Sequence, residues 1–161
     1  MTVFWTIVSG VMVYVIGQIS MKMLIEPVSE QRKVISKITY DLRFYADKLA
    51  NPKDRANAEM MEICTLMRQH SSQLHSATNL IPLYSFWHYV FGLPHPNKIK
   101  DATENLIRLS HGFRDGPLEN QDVLNAYAMQ KVNQALGVSI PAAEFLDPEK
   151  ERLFIKAKKP W

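Results

Sequence analysis

Residues 15–33 read VIGQISMKMLIEPVSEQRK. An apolar run dissolves here through one Gln, one Lys and a Glu-Pro pair, without the cluster of turn residues that ordinarily marks a loop. Upstream, Met1 to Met21 reads MTVFWTIVSGVMVYVIGQISM and carries no Asp, Glu, Lys or Arg. About 20 residues of helix span roughly 30 Å, the thickness of the hydrocarbon core of a bilayer. Three readings compete for this run: a transmembrane anchor, a cleaved signal peptide and a buried core helix. A signal peptide places Lys or Arg ahead of a shorter apolar stretch and ends at small residues. No Lys or Arg precedes this run, and Val15-Ile16-Gly17 is a poor exit. A core helix shows a polar stripe, and none of useful width lies between Thr2 and Met21. The anchor is the expected reading, over residues 1–25.

Lys22, Arg32, Lys33 and Lys37 all follow the span. Lys and Arg near a span stay on the cytoplasmic side, so the N-terminus is expected outside and the rest in the cytoplasm. The chain as a whole is ordinary: 161 residues, 47% hydrophobic, 22% charged, with a net charge of +3. That charge is too small and dispersed for a nucleic-acid footprint. The single cysteine, Cys64, excludes a disulfide framework within the chain.

Beyond the span, Val28, Ile35, Ile38, Leu42, Tyr45 and Leu49 recur at heptad spacing. Glu30, Lys33, Lys37, Asp41 and Lys48 fall on the other face. Such a helix needs a partner, from the same chain in a tight hairpin or from another copy across an assembly seam. Asn51-Pro52-Lys53-Asp54 reads as a stop and restart, with Asn51 capping a helix over residues 52–79. Met60, Ile63, Met67, His70, Leu74 and Ala77 mark its inner face. Residues 82–94, PLYSFWHYVFGLP, crowd Tyr84, Phe86, Trp87, Tyr89 and Phe91 between prolines. This segment is a core plug, or else an interfacial or partner-binding patch.

A further helix opens after Pro96, with Asn97 as its cap and Ile99, Ala102, Leu106, Leu109 and Phe113 on one face. Residues 112–117, GFRDGP, form a loop, and a weaker helix over 118–136 ends at Gly137. A tail over residues 139–161 restarts as a short helix at Asp147 and ends FIKAKKPW, a frayed basic end or a membrane-surface contact. The expected fold is therefore all-α: one transmembrane helix continuing into a cytoplasmic helical bundle over residues 26–138.

Signatures of chemistry are sparse. The chain lacks a phosphate-cradling Gly-rich loop, paired cysteines, a His-Glu-x-x-His pattern and a Gly-x-Ser-x-Gly elbow. No cofactor or metal is expected. Arg68, Ser72, His75 and Asn79 share one helical stripe, and Arg68 with His75 resembles the Arg-x(4 to 6)-His motif of HEPN ribonucleases. That resemblance implies metal-independent RNA cleavage, with Arg68 steadying phosphorane charge and His75 moving a proton. The other histidines, and Cys64 among Met61, Ile63, Leu66 and Met67, read as structural residues.

In the span, Gly10, Gly17 and Gln18 lie close to one face, and Lys22 follows Gln18 by one turn. Small residues let helices approach and a buried amide seeks a partner, so this face suits self-association. Alternatively, Gln18 and Lys22 sit at headgroup depth with Lys22 snorkelling. Pro27 removes one helical hydrogen bond, which kinks the rod or opens a second helix and makes a hinge.

VIGQISMKMLIEPVSEQRKVI, with Leu42-Arg-Phe-Tyr-Ala, Ser72-Gln-Leu, Asn79-Leu-Ile-Pro-Leu-Tyr and Asn105-Leu-Ile-Arg-Leu-Ser, resembles a set of small bacterial proteins with an N-terminal membrane helix. The likeness covers residues 11–113 and implies no activity. In architecture the chain is similar to the membrane accessory proteins of type VI-B CRISPR systems. That resemblance implies a divergent HEPN-like domain in antiviral defence and a ring-shaped pore assembly, with Gly10, Gly17 and Gln18 part of a ring contact or of the pore lining. The expected function is a non-enzymatic inner-membrane protein that self-assembles as a scaffold or pore-forming effector. Its partners are the bilayer, further copies of itself, and a protein held through the aromatic segment. A tethered ribonuclease and an accessory subunit of a larger membrane complex are the alternatives.

Overall fold

The computed structural model describes residues 1–53, 56–112, 120–141, 145–147 and 150–151. Among these, all regular structure is helical. The elements are α1 (Thr2–Ser20), a π-helical turn (Met21–Ile25), α2 (Glu26–Phe44), α3 (Ala46–Ala50), α4 (Ala58–Asn79), α5 (Tyr84–Phe91), α6 (Pro96–Ser110) and α7 (Gln121–Ala135).

The first three join into one helical rod of 43 residues, Thr2–Phe44, on the order of 65 Å long. The chain stays helical through Pro27, and the turn before it is wide. The Glu26 N–H donates to the Met21 carbonyl, five residues back. A proline ring collides with the carbonyl four residues earlier, here that of Met23, and lacks the N–H that would bond it. Widening the turn into π geometry relieves that collision without breaking the rod. Pro27 is thus absorbed within the first turn of α2.

The helices after the rod run alternately back and forth. Gln31 meets Thr78 and Asp41 meets His70, so α4 lies antiparallel to α2. Ser71 meets the Thr103 carbonyl and Cys64 that of Leu109, so α6 lies antiparallel to α4. Near the end of α6, Asn125 on α7 donates to the Gly112 carbonyl and also to that of Leu49. The end of the domain near α1 is therefore where α4 finishes, α5 lies and α6 begins.

A principal core joins Val34, Ile38, Leu42 and Leu49 to Met60, Ile63, Met67 and Leu74 of α4, Ile99, Leu106 and Leu109 of α6, and Val132 of α7. A second, smaller core sits at the α1 end, where Val28, Ile81 and Leu93 are covered by Leu24, Tyr84, Trp87 and Phe91. The tail also packs on the domain. Tyr127 and Gln130 hold the backbone of Asp147 and Leu146, and the nearly buried Glu151 carboxylate pairs with Arg108 and Lys131 at 3.3 and 2.6 Å.

Several expectations need correction. The buried stripe of α2 is Val28, Gln31, Val34, Ile38, Asp41 and Leu42, with Ile35 and Tyr45 only half-buried at its border. Ile38, Leu42 and Leu49 lie inside this chain's own core, so they cannot serve as a seam to another copy. The heptad pattern skipped Gln31 and Asp41 because both are polar. Helix α4 begins at Ala58, where the Asn57 side chain accepts from the Met60 N–H. Asn51 instead bonds back to Asp47. His95, not Asn97, caps α6, accepting the Asn97 N–H on Nδ1. Gly137 does adopt a left-handed backbone just past α7, at φ +75°. Asp54, Phe113 and the FIKAKKPW end lie outside the described residues.

Ile38 is fully enclosed, whereas its neighbour Lys37 faces solvent. Ile38→Ala is expected to cost about 2–5 kcal/mol by denaturant titration of the detergent-solubilised chain. Lys37→Ala should stay within about 0.5 kcal/mol.

Candidate functional site

No residue of α1 is buried. Twelve large apolar side chains from Met1 to Ile19 are exposed, among them Phe4, Trp5, Ile7, Val11 and Ile16. Hiding such a side chain from water is worth about 1.5–3 kcal/mol, so the helix demands an apolar surrounding worth on the order of 20 kcal/mol. Its hydroxyls already behave as they would in lipid. Thr6 donates to the Thr2 carbonyl and Ser9 to that of Thr6, both at 3.0 Å. Among the described residues the Gln18 side chain makes no hydrogen bond, and a Cβ built on Gly10 or Gly17 meets nothing within 4 Å. Lys22, in the π turn, is exposed. Helix α1 is long and apolar enough to cross a membrane, and Gly10, Gly17 and Gln18 on it, like Lys22 in the π turn, are all exposed.

Behind the span lies a chain of polar contacts between α2, α4 and the α5 segment. The Gln31 amide, fully buried, donates to Thr78 Oγ1 at 2.9 Å and to the Tyr84 hydroxyl at 3.0 Å. That hydroxyl donates onward to the Pro94 carbonyl at 2.7 Å. Burial pushes the Tyr84 phenol up, which keeps it protonated and able to donate. Arg32 donates to the Phe91 carbonyl and so closes the last turn of α5 against the rod. These bonds clamp α5 to the first turns of α2.

A second buried contact ties the C-terminal end of α2 to α4. His70 Nε2 donates to Asp41 Oδ2 at 2.7 Å, with His70 fully enclosed and its Nδ1 without a partner. Among the described residues no nucleophile is hydrogen-bonded to His70. Its structural role is registry: it sets α2 against α4 by the one contact whose loss leaves a carboxylate stranded.

The two residues proposed for RNA chemistry are not brought together. Arg68 Nη2 donates to His111 Nε2 at 3.3 Å, while His111 Nδ1 donates to the Ile107 carbonyl at 2.9 Å. His75 Nε2 instead accepts from the Asn79 amide at 3.0 Å, one turn along α4. Among the described residues no group of three or more His, Cys, Asp or Glu is placed to hold a metal. Cys64 is buried, donates weakly to the Leu109 carbonyl, and has its thiol pushed up by burial to about 11.

The aromatic segment divides cleanly. Tyr84, Trp87 and Phe91 face the smaller core, whereas Phe86 and Tyr89 project outward. No family model, curated protein or solved structure matches the chain, so its function is argued from this geometry.

Two measurements check the site. Deleting the imidazole in His70→Ala leaves Asp41 buried and unpaired, with an expected loss of 3–5 kcal/mol in denaturant titration, on the order of a buried half-pair. Because the folded Cys64 pKa lies above the ordinary thiol value, the thiol stays protonated through neutral pH. A thiol reagent at pH 8 should therefore label no cysteine in the native chain and one per chain after denaturation.

Proposed function

We propose that this chain is a non-enzymatic single-pass inner-membrane protein that self-assembles through its membrane helix and holds a helical domain on the cytoplasmic side as a scaffold. The observation that carries this reading is the bare first half of the rod. Nothing among the described residues covers α1, and there the Gln18 side-chain amide has no partner. In a membrane, apolar side chains are satisfied by lipid, but an amide is not. A second copy of α1 supplies one through its own Gln18, with Gly17 allowing close approach and Gly10 extending the same contact toward the other leaflet. Orientation follows the positive charges, with Lys22, Arg32, Lys33 and Lys37 on the cytoplasmic side.

The rod gives the assembly its mechanical character. Backbone hydrogen bonding runs from Thr2 through the π turn to α2, and α2 contributes directly to both cores. A rotation or displacement of the span is thus carried into the domain as a rigid movement, with only the π turn between them. Assembly through α1 leaves the domain's own core intact, since the α2 stripe is already covered by α4.

The full chain, purified in mild detergent and measured by crosslinking and mass photometry, is expected to form an oligomer at micromolar concentration. Gln18→Leu should weaken it by about 1 kcal/mol per interhelical hydrogen bond lost. Gly17→Ile should weaken it further by holding the helices apart. A wild-type chain that remains monomeric under both measurements overturns the reading.

A further inference from the structure

Helix α5 carries apolar side chains on two opposite faces, with Ser85 and His88 as the polar residues among them. Tyr84, Trp87 and Phe91 line the face turned to the smaller core, and Leu83, Phe86, Tyr89 and Val90 make up the opposite one. The outer residues are 78, 61, 86 and 60% exposed. Leu80 and Pro82 extend this surface, and Leu83 enters the helix with a left-handed backbone, φ 50°, its side chain outward. Short helices with two apolar faces need something apolar on both sides. The chain itself covers only one.

Its position identifies the other. Helix α5 packs on Leu24 and Val28 of the rod. Leu24 is three residues past Met21, where the charge-free run ends, and three residues of helix advance about 4.5 Å. The headgroup layer beyond each side of the hydrocarbon core is roughly 5–8 Å thick. A span seated by α1 therefore sets α5 at headgroup depth. Composition agrees with that depth. Residues 15–28, where the rod leaves the apolar run, contain no aromatic, so the inner end of the span lacks the Trp and Tyr that anchor helices at an interface. Helix α5 brings Trp87 and Tyr89 to the same level. Charge agrees too: no Asp or Glu occurs between Glu62 and Asp101, and Arg32 on the rod donates to the Phe91 carbonyl of α5.

We infer that α5 is a second, interfacial membrane contact, its outer face of Leu83, Phe86, Tyr89 and Val90 seated at the headgroup–acyl boundary of the leaflet from which α1 emerges. The inference rests on α1 crossing that bilayer. With the rod and α5 both engaged, the domain is held at two points, and its tilt and rotation about the rod are set by the membrane surface. The clamp of Gln31, Tyr84, Pro94 and Arg32 transmits that constraint to α2.

The test uses the full chain reconstituted in phosphatidylcholine vesicles with an anionic phosphatidylglycerol fraction. Single cysteines replace Met12, Lys37 or Tyr89 and carry an environment-sensitive fluorophore, with the buried Cys64 left in place and labelling stoichiometry checked by mass. The label at 12 should be quenched most by nitroxides deep in the acyl chain, that at 89 most by nitroxides near the headgroup, and that at 37 by neither. A label at 89 that stays water-exposed, or one shielded without lipid quenching as by a protein neighbour, overturns the inference while a quenched label at 12 keeps the span. A label at 12 that lipid nitroxides do not reach overturns the span and the inference with it.

Discussion

Peptide groups that leave water must bond to one another, and the bare, apolar α1 meets that requirement within a rod that runs unbroken from Thr2 to Phe44. A break in the helix between the apolar run and the charged residues would leave unbonded backbone beside exposed apolar side chains. Pro27 threatens such a break, because it brings no N–H and its ring crowds the preceding turn. The π turn at Met21–Ile25 resolves the conflict while keeping the backbone bonded. Since the rod is continuous, the rotational register of α2 follows from that of α1. That register then turns Val28, Val34, Ile38 and Leu42 toward α4, and everything packed on α4 is placed in turn.

The contact between α2 and α4 shows how polar groups serve inside this small domain. Apolar packing tolerates a slip of one turn along two antiparallel helices, because Leu and Ile are interchangeable at such a seam. The Gln31 amide and the Asp41–His70 pair are not interchangeable with their neighbours. A slip would strand a buried amide and a buried carboxylate together. Two polar contacts ten residues apart thus pin the register at both ends of α2, near the span and toward the middle of the domain.

Much of this architecture was legible in the residues. The charge-free run marked α1, and the inner face of α4, including its histidine, was evident from three-four spacing, as were Ile99, Ala102, Leu106 and Leu109 on α6. Helix starts were less legible: a side chain that caps is recognised by the N–H it meets, so Asn57 and His95 took roles that Asn51 and Asn97 matched equally well by type. The α2 stripe was misread for a related reason. Gln31 and Asp41 look like solvent residues until the partners that satisfy them, Thr78, Tyr84 and His70, are known, and those lie 29 to 53 positions away in the chain.

By itself, the sequence determined that the chain is helical, that one helix demands an apolar surrounding, and which faces of α4 and α6 turn inward. Each follows from the period and the composition of residues close together in the chain. Only the tertiary structure decided that the heptad stripe is this chain's own core and that Arg68 and His75 face different partners. It alone placed the aromatic α5 beside Leu24, close to where the apolar helix α1 ends. Such facts depend on which distant residues meet, and local periodicity carries no record of a partner 29 or 53 residues away.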